Sequence, residues 1–256
     1  MGCLLARLFK TKMNRVIICG RDEDKTRKTA AHIHVEAGNV AEVVEADIVV
    51  VSVPIENTVE VCQDVLGKMR RNSLLVEISS VKTGVVDKIA EILPPRIEYL
   101  SLHPLFGPSL RELEGQNIIA IPVKSGPLSR RMLDSIHDMG FATHICTMEE
   151  HDRIMAAVQV MHHYAYLVMA VELAKIIREN RMTSRFVTRS LKRTWRQLHS
   201  LQKISGTVIG IQRLNPYGSA ARRSYAEVAQ RMTTMNDQVI SEIKEAMKVI
   251  DDWIRH

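Results

Sequence analysis

Asp47-Ile48-Val49-Val50-Val51-Ser52-Val53-Pro54 is the stretch whose reading decides how this chain folds. Its core is β-branched and does not alternate with polar residues, which predicts a strand covered on both faces, as parallel strands are. Working outward, Val16-Ile17-Ile18-Cys19-Gly20 upstream and Leu74-Leu75-Val76-Glu77-Ile78 downstream read the same way. Glu98–Leu102, Asn117–Val123 and Ala142–Cys146 follow as further strands. Between them the periodicity predicts helices over 3–12, from Arg21-Asp22 to about Val35, and over 58–69, 85–92 and 128–139. Strands alternating with helices at this spacing predict an α/β domain with a doubly wound, mainly parallel sheet over residues 1–146.

The pattern changes at Thr147. With Glu150 three residues later it reads as a capping box, and the helix it opens should run to about Arg178 without a breaker. Its middle, Ile154 to Leu173, is apolar nearly all round, which predicts burial in a large core or in a subunit interface. Two more helices are expected over about 183–203 and 220–254, so residues 147–256 read as an all-α dimerisation domain. Arg185, Arg189, Lys192, Arg193, Arg196 and Lys203 make one basic helix face, read as solvated ahead of the alternative that one arginine binds a carboxylate.

Composition narrows the partners. The 256 residues carry a net charge of +6, which suits an anionic ligand. The cations are spread out and lack interleaved aromatics, so nucleic acid is not expected. Cys3, Cys19, Cys62 and Cys146 form no CxxC pair and read as reduced core cysteines. No metal site is expected, since the histidines lack HxxxH spacing. No signal peptide or membrane span is expected either, and the protein is placed in the cytoplasm.

Open parallel sheets bind ligands at the carboxyl ends of their strands. Here those ends are Arg21-Asp22, Ser52-Val53-Pro54, Ser79-Ser80-Val81-Lys82 and Ser101-Leu102-His103-Pro104. A neutral imidazole at His103 could take a proton from a hydroxyl. Lys82 reads as a surface residue at a helix start. Gln159 and His163, four apart on the long helix, share a face, and polar groups in so apolar a helix need partners.

Ala46–Ile55, Ser79–Lys82, His103-Pro104-Leu105-Phe106-Gly107-Pro108, Leu113-Glu114-Gly115-Gln116 and Glu149–Gln159 together resemble the prephenate dehydrogenases of archaeal type, in order and spacing. Asn215-Pro216-Tyr217 is similar to a later family segment. The resemblance implies a Rossmann-like domain followed by a helical dimerisation domain. It implies oxidation and decarboxylation of prephenate to 4-hydroxyphenylpyruvate, with arogenate as the alternative substrate, in a homodimer. His103 then matches the family's catalytic histidine, Ser80 the serine that hydrogen-bonds it and the substrate hydroxyl, and His163, with Gln159 beside it, the substrate side. Gly2, Arg21, Asp22, Ser52, Val53 and Pro54 would line the cofactor. Arg21 favours the 2′-phosphate of NADP while Asp22 favours NAD, and NADP is the expected choice.

Two departures stand against the family pattern. Gly2 aligns with the last glycine of the GxGxxG loop and residues 3–12 with the helix after it, so the first strand and the earlier glycines are expected to be missing. Gly210 stands where the family often has an arginine, with Arg213 displaced. The first departure leaves a second reading open: a non-catalytic dimeric scaffold of this fold that no longer binds cofactor.

Overall fold

The computed structural model describes residues 1–108, 112–180 and 184–255. Its central sheet has the order β3 (Ile48–Val51), β4 (Ser73–Glu77), β5 (Ile97–Pro104), β6 (Asn117–Lys124) and β7 (Ala142–Ile145). All neighbours are parallel except β5 and β6, which run antiparallel. A second, two-stranded parallel sheet pairs β1 (Ile17–Cys19) with β2 (Glu36–Gly38). Among the described residues no strand joins β1 to β3.

The sheet is covered on both faces, as the apolar runs demand. Leu74 and Val76 of β4 and Leu100 and Leu102 of β5 point one way, into a cluster closed by Leu4, Leu5, Leu8 and Phe9 of α1 (Gly2–Phe9) and by Met132 and Ile136 of α5 (Pro127–Asp138). Leu75 and Tyr99, one residue out of step, point the other way. They meet Cys62, Val65 and Leu66 of α3 (Ile55–Leu66) and Val86 and Ile89 of α4 (Val86–Glu91). The period of two thus gives each strand two dry faces, and an α/β Rossmann-like layer order follows.

The chain between β1 and β3 departs from the expectation. The polar helix α2 is there, over Glu23–Ile33, started by the Asp22 carboxylate accepting the Lys25 N–H. The three-residue β2 and a 3-10 segment over Val40–Glu45 come after it, unforeseen. Of the cysteines only Cys62 is buried; Cys3 and Cys19 are exposed, because they sit on the outer sides of α1 and β1 rather than in the core.

Helices begin two residues after β7. Thr147 accepts the Glu150 N–H and opens α6 (Met148–Met155). The backbone then widens into a π-helical turn over Ala156–Met161 before α7 (His162–Asn180). Such turns concentrate at functional positions. Here Gln212 reaches across and donates its amide to the Val160 carbonyl, tying the widened turn down. The two later helices of the sequence reading are four: α8 (Arg189–Lys203), α9 (Ser205–Leu214), α10 (Gly218–Arg231) and α11 (Asp237–Arg255). The apolar helix is not enclosed within the chain, since Val158, Val168, Met169 and Val171 are exposed. The large-core alternative is thereby corrected.

Candidate active site

His103 owes its place to a length mismatch. The β4–β5 ladder stops at Glu77 opposite Ser101, while β5 continues three residues to Pro104 beside β6 alone. The overhang carries His103 past the end of β4, and Pro104, which has no N–H, is tolerated where one side of the strand is free. Helix α6 lies over this overhang and lowers His151 and Asp152 onto it. All three side chains are at least 97% buried, so they meet in a dry environment.

They form a chain of contacts. His103 Nδ1 is 2.8 Å from His151 Nε2, the two rings meeting edge to face. His151 Nδ1 is 2.8 Å from Asp152 Oδ1. The Asp152 carboxylate also accepts the backbone N–H of Lys82, at 3.0 Å, and of Thr83, at 2.8 Å. Burial pushes the Asp152 carboxyl up, but the hydrogen bonds from His151, Lys82 and Thr83 outweigh it and hold the group below its ordinary range. At the other end, the Gln159 amide nitrogen lies 3.4 Å from His103 Nε2. Burial, then the Lys82 and His151 neighbours, push His103 well below its usual value, so it is neutral near pH 7.

A second buried cluster stands beside the first. Lys82 is fully buried, not a surface residue as its polar surroundings in the sequence suggest. Its ammonium donates to Glu77 Oε1 at 3.0 Å and to the Leu102 carbonyl at 2.8 Å. Glu77 also accepts the Ser79 N–H at 2.6 Å and the Ser101 hydroxyl. Burial lowers the Lys82 ammonium despite the Glu77 carboxylate that raises it. Ser80 is half-buried, and no described hydrogen bond joins it to His103.

The remaining strand ends open outward. Gly2 begins α1 directly against Ser52 at the end of β3, where a Cβ on Gly2 would come within 3.2 Å of the Ser52 hydroxyl. This close approach of a helix start to a strand end is what the last glycine of a dinucleotide loop provides, so these residues fit a dinucleotide. Val53 and Pro54 are exposed beside Ser52. Arg21, also exposed, makes no ion pair among the described residues, whereas Asp22 spends its carboxylate capping α2.

On the helical side, the π turn brings Gln159 to His103 and leaves two buried polar atoms without partners: Gln159 Oε1 and His163 Nδ1. Orphaned groups of this kind await a ligand or water. Burial, with His162 adding to it, lowers His163. Gly210 does not face open space: a Cβ there would meet Ile55 and Glu56 side chains at 2.7 and 2.6 Å, so α9 packs on the start of α3. Arg213 is exposed, and Arg189, Lys192, Arg193 and Arg196 line a surface hollow, solvated as expected. Arg185 and Lys203 belong to the same exposed or terminal stretch. Among the described residues no group of acidic, His or Cys side chains could hold a metal ion.

Asp152, Glu77 and the pairing of the two histidines escaped the sequence reading. Glu77 had a signal: a lone carboxylate in a strand dry on both faces needs a buried cation, and Lys82 is five residues away.

Comparisons with known proteins relate the chain by sequence and by fold. Residues 5–124 match the prephenate dehydrogenase nucleotide-binding domain family. A probable arogenate/prephenate dehydrogenase of Methanocaldococcus jannaschii is 27% identical over 98% of this chain and 54% of its own length. A 4-amino-4-deoxyprephenate dehydrogenase of Streptomyces pristinaespiralis is 30% identical over 54% of this chain and 46% of its own. The chain thus spans about half the length of these curated relatives. Among solved structures, prephenate dehydrogenase from A. aeolicus, in complex with hydroxyphenyl propionate and NAD+, shares the fold with TM-score 0.81 at 17% identity, covering 99% of this chain and 94% of that one. Synechocystis arogenate dehydrogenase does so with TM-score 0.70 at 15% identity, over 98% and 96%.

Proposed function

The chain belongs to the prephenate dehydrogenase family, and from that premise we propose that it oxidises and decarboxylates prephenate, or arogenate, with hydride transfer to NADP or NAD. The observation that carries this reading is a neutral, buried His103 whose Nε2 has, among the described residues, only the long Gln159 contact. A nicotinamide in the crevice would accept the hydride from the ring carbon bearing the hydroxyl.

The chain's own residues do the rest. His103 Nε2 takes the hydroxyl proton as the ring oxygen becomes a carbonyl, a general-base role. Loss of carbon dioxide restores an aromatic ring, and the proton returns to its oxygen. Aromatisation drives the reaction, so the protein mainly aligns the groups and shuts out water. The orphaned Gln159 Oε1 and His163 Nδ1 are in place for substrate polar groups. Ser80, with no described hydrogen bond to His103, would meet the hydroxyl on its own. Arg21, exposed and without an ion pair among the described residues, is the ground for leaning to NADP over NAD.

The exposed apolar faces call for a cover, and we assign it to a second copy of this chain. Met148–Glu179 is long and apolar enough, by length and composition, to cross a membrane. Yet its first turns hold the buried Asp152 against the Lys82 and Thr83 amides, which docks it on the sheet. Val171 on α7 and Trp253 on α11 are more than 70% exposed, as a homodimer of a cytoplasmic protein would need.

Titration with NADP and NAD, then turnover of prephenate and arogenate, tests the reading. Binding of one dinucleotide, reduced cofactor, carbon dioxide release and a dimer by light scattering are expected. Failure of both dinucleotides to bind would return the chain to the non-catalytic scaffold reading.

A further inference from the structure

We propose that Asp152 and His151 are positioning residues that lock His103 in its Nδ1–H tautomer, leaving Nε2 as the one nitrogen that can accept the substrate's hydroxyl proton. The inference deepens the proton-transfer role given to His103 above and rests on it.

The hydrogen-bond polarity of the chain follows from its anchored end. Asp152 Oδ1 accepts the Lys82 N–H, and Oδ2 accepts the Thr83 N–H. A backbone amide can only donate, so the carboxylate is held as an acceptor, and its depressed pKa agrees. His151 Nδ1, 2.8 Å from Oδ1, must therefore carry a hydrogen and donate it. With a single hydrogen on His151, at Nδ1, its Nε2 presents a lone pair, and His103 Nδ1, 2.8 Å away, is the donor. That leaves a lone pair on His103 Nε2. The Gln159 amide nitrogen, which can only donate, sits 3.4 Å from it, which is the polarity required. Every donor in the chain thus points toward Asp152.

The opposite polarity needs a second hydrogen on His151, or a hydrogen on Asp152, and in either case a reversed Gln159 amide. It would put a hydrogen on His103 Nε2 and destroy the base. A carboxylate that orients an imidazole in this way fixes the tautomer and stabilises the imidazolium that forms. Here it works through an intervening histidine. The stabilisation matters because the Lys82 ammonium opposes charge on His103. The other ionisable groups around the chain are Glu77, which pairs with Lys82, Cys146 after β7, and His163 on α7.

Asp152→Asn inverts the logic. Its amide oxygen must still accept the Lys82 and Thr83 amides, so its NH2 faces His151 Nδ1. His151 then carries its hydrogen on Nε2 and donates to His103 Nδ1, which moves the His103 hydrogen to Nε2. The experiment is 15N NMR of the histidine side chains in the unliganded wild type and in Asp152→Asn, with the pH profile of kcat alongside. Wild-type His103 is expected as the Nδ1–H tautomer and the variant as Nε2–H. The variant should lose on the order of 10²-fold or more in kcat, with KM little changed. Its acid limb should move to lower pH, because the imidazolium has lost its carboxylate. His151→Phe, which leaves Asp152 in place, should show mixed His103 tautomers and the same direction in kcat.

Wild-type His103 protonated at Nε2 would overturn the proposal. So would variants whose kcat loss merely follows their folded fraction with an unmoved pH profile. The NMR arm needs no substrate. An Nδ1–H tautomer in a wild type that turns over neither prephenate nor arogenate would therefore sink the proposed reaction and leave the lock standing.

Discussion

Two buried polar clusters lie side by side at the carboxyl ends of β4 and β5, and they end differently. In the Lys82 cluster every partner is internal: the ammonium has Glu77 and the Leu102 carbonyl, and Glu77 has Lys82, Ser79 and Ser101. In the Asp152 cluster the bonds are equally short through His151 to His103, then weaken to the 3.4 Å Gln159 contact, beyond which Gln159 Oε1 has no partner. A closed network holds structure together. A network that is satisfied at one end and open at the other holds a reactive group ready. Under the proposed function, the difference separates scaffold from chemistry among groups that burial alone does not distinguish.

Breaking the closed cluster should cost stability first. Glu77→Gln strands the buried Lys82 ammonium, and removing one partner of a buried pair costs about 3–5 kcal/mol. Chemical denaturation should show that loss, with any fall in activity tracking the folded fraction. A smaller effect sharpens the contrast through pH. His103 is neutral in the fold, well below its usual 6.5, but protonates near 6.5 in the unfolded chain. The unfolded chain therefore binds more protons as pH falls below 6.5, and stability drops. Asp152, depressed below 3.8, adds a further loss in more acid solution. In His103→Asn the upper part of that loss should flatten while the lower part stays, as thermal melts carried from about pH 7 to about pH 2 would show.

Much of this architecture was legible. The runs at Ile48–Val51 and Ser73–Glu77 announce strands because β-branched and leucine residues without alternation have no other stable place. Thr147 announces a helix start through a bond only three residues long. What escaped depends on distant chain. The β2 strand is three residues long and exists because β1 pairs with it. The π turn needs Gln212, 52 residues from the carbonyl it binds. His103 meets His151 across 48 residues, so their pairing has no local signature. Lys82 misled because serine, threonine and lysine together look like surface, and only the fold buries them around Glu77 and Asp152.

The same contrast explains the uneven crevice. The side with His103 is enclosed and bonded, whereas Arg21, Val53 and Pro54, on the proposed cofactor side, stand exposed. Gly2 against Ser52 is the tight contact there.

The most direct test is turnover of prephenate by wild type and His103→Asn, compared at equal folded fraction. The open-network account predicts that the variant keeps its melting temperature near neutral pH and its dinucleotide binding, yet loses about 10²–10⁴-fold in kcat. A folded variant that turns over prephenate at the wild-type rate would contradict it.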